Sequence, residues 1–224
     1  AGHRMLELSK NGRIVKVLAT KLPDGTRLDG PNDLVMDAKG GIYFTDPQFI
    51  FDTPARPGKT VNYLKANGDI IEVISPGDFG MPNGVILSPD GSKLYVNNTY
   101  HDANRMSDVE NFVIVYDVND DGTLSNKRRF CHLFLPPSEY DNGTKSTCAD
   151  GMTMDELGNL YVGTNIGLQI FSPEGKYIGN IHTDTFPVSV CFGGENYDEL
   201  FMTCWDKIYT IKTNVKGLKY PLGS

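Results

Sequence analysis

The sequence has no long apolar run. None of its hydrophobic stretches approaches the ~20 residues of a membrane-spanning helix, so no membrane partner is expected. Cysteine is scarce: Cys131, Cys148, Cys191 and Cys204 are the only four in 224 residues, and none forms a CxxC pair. That removes the usual spacing of a structural zinc site or a dithiol redox motif. All four lie in or beside apolar strands and are expected to be buried thiols. Positive charge is also short, with 21 Lys and Arg against 28 Asp and Glu, a net charge of −7. Nucleic acid is excluded as a partner, because its phosphates need a basic surface. The acidic excess contains no run of five like charges, which argues against a disordered acidic tail. No Gly-x-Ser-x-Gly elbow occurs, so a serine esterase triad has no support. The opening Ala1-Gly2-His3-Arg4 shows no signal peptide, which leans the expectation towards the cytoplasm. The N-terminus nevertheless looks truncated, on the strand count below.

Helical periodicity is nearly missing too. Most apolar segments are short, rich in Val, Ile, Tyr and Phe, and bounded by Gly, Asn, Asp or Pro, which is the pattern of strands. One sentence recurs along the chain: a small polar head, an apolar strand, a turn, a second apolar strand. It stands at Pro31-Asn32-Asp33 through Asp46, at Met81-Pro82-Asn83-Gly84 through Thr99, and at Ala149-Asp150-Gly151 through Thr164. A copy without the polar head runs from Pro187 to Cys204. Two further strands follow each polar-headed copy, giving four-stranded up-and-down units, the signature of β-propeller blades.

The whole chain, 1–224, therefore reads as a single all-β propeller domain. Its strands add up to three whole blades, one nearly whole and one half. The half is a hairpin of Met5–Leu8 and Ile14–Leu18 turning at Asn11-Gly12. At the other end, Asn214 to Tyr220 is a doubtful last strand. A propeller needs a full ring to hide its sheet edges, so about a blade and a half is expected to be missing from the N-terminal side. Long connections at 48–59 and 100–110 are expected to cover one face of the disc as binding loops, and a third, at 136–147, leads into the next axial strand.

Aligning the copies puts Asn32, Asn83, Asp150 and Val188 in one column. Each begins an innermost strand, so quasi-symmetry gathers the column around one mouth of the axis. Three oxygen-bearing side chains there suit a hard cation of the calcium or magnesium type. Zinc would more naturally recruit His or Cys, and the column has neither. The same pattern suits Asx turns entering each strand equally well.

On these residues the chain resembles the gluconolactonase/regucalcin (senescence-marker protein, luciferin-regenerating enzyme) family. The resemblance is carried by Arg27-Leu28-Asp29-Gly30-Pro31-Asn32-Asp33-Leu34 with Tyr43-Phe44-Thr45-Asp46-Pro47, by Pro82-Asn83-Gly84 with Leu94-Tyr95-Val96, by Asp150-Gly151-Met152, and by Cys191-Phe192-Gly193-Gly194. It implies a six-bladed propeller whose first blade and half of whose second are absent from this chain. It implies a metal-dependent hydrolase opening sugar lactones such as gluconolactone, with a divalent cation, Ca2+ ahead of Mg2+, Mn2+ or Zn2+. Asn83 and Asp150 would be metal ligands, with Asp150 also the catalytic base, and Arg27 and Asn32 would line the substrate pocket. The family's remaining ligand is a glutamate in an early Glu-Gly-Pro motif, and this chain has no such motif. Related propellers hydrolyse organophosphates.

Other candidates weigh less. His101, on the loop after the second copy, could touch substrate. His132 and His182 sit on outer strands. Asn97-Asn98-Thr99 and Asn142-Gly143-Thr144 match the N-glycosylation pattern. Trp205 and the tyrosines of the second strands are expected in the core. A non-catalytic propeller that binds a ligand or protein on its disc face is the competing reading, motivated by the absent glutamate and the long loops.

Overall fold

A computed structural model describes residues 2–47, 59–77, 80–99, 111–135, 146–220 and 222. Every regular element among them is a β-strand. β1 (Met5–Leu8) and β2 (Ile14–Ala19) form a hairpin. β3 (Leu34–Met36), β4 (Ile42–Asp46), β5 (Thr60–Leu64) and β6 (Ile70–Ile74) form a four-stranded sheet in sequential order. So do β7 (Pro82–Leu87), β8 (Lys93–Asn98), β9 (Phe112–Val118) and β10 (Leu124–His132). A third such sheet holds β11 (Met152–Met154), β12 (Leu160–Thr164), β13 (Gly167–Phe171) and β14 (Tyr177–Ile181). The last blade has three strands, β15 (Pro187–Gly193), β16 (Glu199–Cys204) and β17 (Ile208–Lys212). The expected blade pattern thus stands: a propeller with four blades among the described residues, preceded by a hairpin.

The turns explain why these short segments become hairpins. In each of the three polar-headed units the first turn is closed by a glycine: Gly40 N–H donates to Asp37 O, Gly91 to Ser88 O and Gly158 to Asp155 O. Those glycines have φ of 80°, 70° and 83°, the left-handed geometry that ends a type I turn in a bulge matched to strand twist. Asp37 Oδ1 adds a clamp by accepting from Lys39 and Gly41 N–H, both at 2.8 Å.

Blades pack through the faces of their sheets. The second-strand tyrosines Tyr43, Tyr95 and Tyr161 are all buried, as the sequence predicts. Tyr43 stacks on Tyr63 at 4.3 Å between centroids and donates its hydroxyl to Gly122 O in the next blade at 2.9 Å. The innermost strands stand side by side in the order β3, β7, β11, β15. Glycines let neighbouring blades approach: a Cβ on Gly151, just before β11, would sit 2.7 Å from Ser189 Cα, and one on Gly163 of β12 2.4 Å from Pro187 O.

Three expectations need correction. Asn214 to Tyr220 does not join the last blade as a strand. It runs back under the innermost strands: Gly217 bridges Asp155, Leu218 N–H donates to Met154 O, and Tyr220 Oη donates to Leu87 O at 2.7 Å. Leu218 and Tyr220, each partly buried, pack against the main core there, so apolar contact favours this path. Trp205 is 77 % exposed rather than in the core, because it follows β16 in the last blade, where its ring lies 6.5 Å from that of Phe186. Of the four thiols only Cys131 is buried; Cys191 is exposed, Cys148 and Cys204 are half-buried, and all are free. Cys191 lies between the buried Val190 and Phe192 and so faces outward, whereas Cys204 keeps the phase of Leu200 and Met202 and is half-buried because it ends its strand.

Candidate functional site

The innermost strands of the second and third full blades start at one end of the propeller, and of the column residues Asn83 and Asp150 meet there. Asn32 N–H donates to Thr45 O and Asp150 N–H to Gly163 O, both at 3.0 Å, so these two positions are structurally equivalent, as the alignment requires. Asn83 is 1 % exposed. Its amide nitrogen donates to Ala149 O at 3.2 Å and its side chain hydrogen-bonds the Asp150 carboxylate. Both partners are acceptors, which fixes the NH2 end towards them. The other end, Asn83 Oδ1, is buried without a hydrogen-bond partner among the described residues. A buried amide oxygen left unpaired costs free energy unless something electropositive meets it.

Asp150 is held beside it by the backbone. Its proton is retained up to about 7, first because the carboxyl is buried and second because the Asp33 charge lies near; the bonds from Asn83 and Gly151 only partly offset this. Asp33 itself is pushed up to about 6 by burial, although Val85 N–H donates to its Oδ2 at 3.0 Å and Leu34 N–H to its Oδ1 at 2.9 Å. Two carboxyls that resist ionisation beside an unpaired amide oxygen make an oxygen-only cluster. Such a cluster suits a hard cation. Among the described residues no group of three or more His, Cys, Asp and Glu side chains could hold a metal, so these residues supply a partial donor set.

Asp33 is absent from the sequence expectations. A signal for it existed: in the third column Gly84, Gly151 and Ser189 are small where Asp33 is not. Asn32 is exposed next to Asp33, and Arg27 is exposed on a turn bridged to Lys21. His101 lies outside the described residues, as do most of the three long loops and the Asn142 pattern.

Residues 2–205 match the SMP-30/gluconolactonase/LRE-like region. The chain belongs to this family. A gluconolactonase from Zymomonas mobilis is 32% identical over 200 residues, 86% of this chain and 53% of that protein. The chain thus spans about half the length of that curated relative. The solved structure of a gluconolactonase from Xanthomonas campestris superposes with a TM-score of 0.76 at 25% identity, covering 97% of this chain and 66% of that one. A calcium-binding regucalcin from Agrobacterium tumefaciens shares the fold, with a TM-score of 0.65 at 16% identity over 86% of this chain and 64% of that one. Within this SMP-30/gluconolactonase/LRE-like chain, the electron-rich end of the axis is where Asn83, Asp150 and Asp33 converge.

Proposed function

We propose that this chain carries the catalytic end of a divalent-metal lactone hydrolase acting on sugar lactones such as gluconolactone. The observation that carries the reading is Asn83 Oδ1, buried and unpartnered beside the Asp150 carboxylate. Family membership and the gluconolactonase relatives support the substrate class. Asn83 Oδ1 and Asp150 would hold the cation, Ca2+ by preference, with the Asp33 charge raising the negative potential behind them. A bound cation would supply Lewis-acid polarisation of the lactone carbonyl and stabilisation of the oxyanion.

The protein's own groups account for the protons. Asp150 accepts a proton from water as the water oxygen bonds to the carbonyl carbon, acting as the general base. When the ring C–O bond breaks, the same proton passes to the leaving alkoxide, giving the hydroxy acid. Arg27 and Asn32, and His101 from its loop, would orient the sugar hydroxyls.

In the same reading the complete ring has six blades, and the strands beyond this chain add the remaining acidic ligand. The apolar side chains exposed on β2 (Ile14, Val15, Val17) and on β17 (Ile208, Ile211) are consistent with such neighbours. The incomplete donor set among the described residues favours a second reading, a propeller that binds without catalysis. An organophosphate-hydrolysing relative would use the same centre. The test is gluconolactone hydrolysis measured with and without chelator, beside Asp150→Ala. Chelator-sensitive activity lost in the variant supports the proposal. Activity that ignores chelation or survives Asp150→Ala overturns it.

A further inference from the structure

We propose that Asn97 is a positioning residue for this site: one buried amide sets the separation of Asn83 and Asp150. The inference rests on the cation-site reading above. Asn97 lies near the end of β8, and its counterparts in the neighbouring blades are Thr45 of β4 and Gly163 of β12, opposite Val61 and Leu168 as Asn97 is opposite Val113. Thr45 and Asn97 perform one shared task. Thr45 Oγ1 accepts from Asp33 N–H, and Asn97 Oδ1 accepts from Gly84 N–H, each at 3.1 Å. At Gly163 no side chain fits, because Pro187 O occupies the place of a Cβ.

Asn97 then does what the shorter threonine does not. Its Nδ2 donates to Asp150 O at 2.5 Å, in the next blade. The Gly84 N–H belongs to the peptide that follows Asn83, and the Asp150 carbonyl to the peptide that follows Asp150. A single side chain therefore grips both peptides behind the two proposed ligands. Gly84 completes the junction, since a Cβ there would stand 2.3 Å from Asp150 O. Asn97 is fully buried and both ends of its amide are engaged, so in the folded chain the glycosylation pattern at Asn97-Asn98-Thr99 is used for structure. Partners that orient ligands in this way are worth as much to a site as its geometry demands.

The deciding variant is Asn97→Thr, which keeps an acceptor for Gly84 N–H, as Thr45 does for Asp33, and removes the donor to Asp150. Calcium affinity is measured by isothermal titration calorimetry on the full chain, with Tm recorded in calcium-free buffer. The comparison is Gln169→Ala, which deletes another fully buried bridging amide, one that exchanges two 2.9 Å bonds with the Phe134 backbone. Calcium affinity is expected to fall about 10–100-fold in Asn97→Thr, while Gln169→Ala lowers Tm and leaves affinity unchanged. Asn97→Ser, with the same acceptor and a smaller side chain, gives the same reading where the threonine is not accommodated. Wild-type affinity in Asn97→Thr and Asn97→Ser overturns the inference alone, as does an equal loss in Gln169→Ala, which would mean general loosening. A wild-type chain that binds no calcium overturns both this inference and the cation site on which it rests.

Discussion

β11 has an aspartate near each end, and the two have opposite fates. Asp155, at the turn end, is fully buried and spent. Its Oδ1 accepts from Leu157 N–H at 3.0 Å and Asn159 N–H at 2.9 Å, and its Oδ2 from Asn159 Nδ2 at 2.7 Å and Tyr161 Oη at 3.0 Å. Asp150, at the other end, keeps carboxylate capacity in reserve beside a second carboxyl and an unpartnered amide oxygen. A carboxylate ringed by local donors is part of the architecture. One buried among other acceptors is held at a disadvantage until something positive arrives. The same residue type thus serves folding at one end of a strand and chemistry at the other.

The sharpest way to break this comparison is to neutralise each member. Asp150→Asn is expected to lower lactone hydrolysis by roughly 10²–10⁴-fold, the range of a lost general base, and to leave the cation-free protein at least as stable as wild type in a urea titration. Asp155→Ala should do the reverse. It leaves buried N–H and hydroxyl donors unpaired and is expected to cost about 3 kcal/mol of unfolding free energy, with activity retained wherever the chain stays folded. Comparable stability losses in the two variants would erase the distinction.

Glycine offers a milder version of the contrast. Gly84→Ala would place a Cβ 2.3 Å from Asp150 O and 2.6 Å from Asn97 Nδ2, an overpacking expected to cost roughly 1–3 kcal/mol and to weaken cation binding. Gly179→Ala on β14 meets nothing within 4 Å, and thermal melts should show it neutral or stabilised by up to about 1 kcal/mol.

The smallest effect is a slope with pH. Asp150 holds its proton up to about 7 in the fold against 3.8 for the free side chain, and Asp33 up to about 6. The folded chain therefore binds more protons than the unfolded one across this window. The contribution of these two carboxyls to cation-free stability should be full below about pH 4 and be lost as pH rises towards 7. Asp150→Asn should flatten that decline, and saturating calcium should offset it; Tm measured across the range checks both.

Much of this was legible in the residues. Local rules set the hairpins, since a turn needs only a few neighbours and Gly40, Gly91 and Gly158 announce theirs. The repeat aligned Asn83 with Asp150 before any coordinate was known. Asp33 was hidden because its importance is not local: it stands where other copies carry glycine or serine, and its oxygen reaches Val85 of the next blade. The path of residues 214–220 was hidden for a related reason, as it ties its own blade, through Gly217 N–H to Tyr197 O, to partners in β7, in β11 and in the turn after β11.

From sequence alone, then, come the strand periodicity, the four-stranded repeat, the family and the pairing of Asn83 with Asp150, all of which depend on short-range pattern or on repetition. Tertiary structure alone decided which oxygens remain unpaired. That Asn83 Oδ1 is empty-handed while Asp155 is saturated depends on how adjacent blades approach, and so does the reach of Asn97 to Asp150. Hydrogen-bond satisfaction is a property of neighbours in space, and no periodicity along a chain encodes it directly.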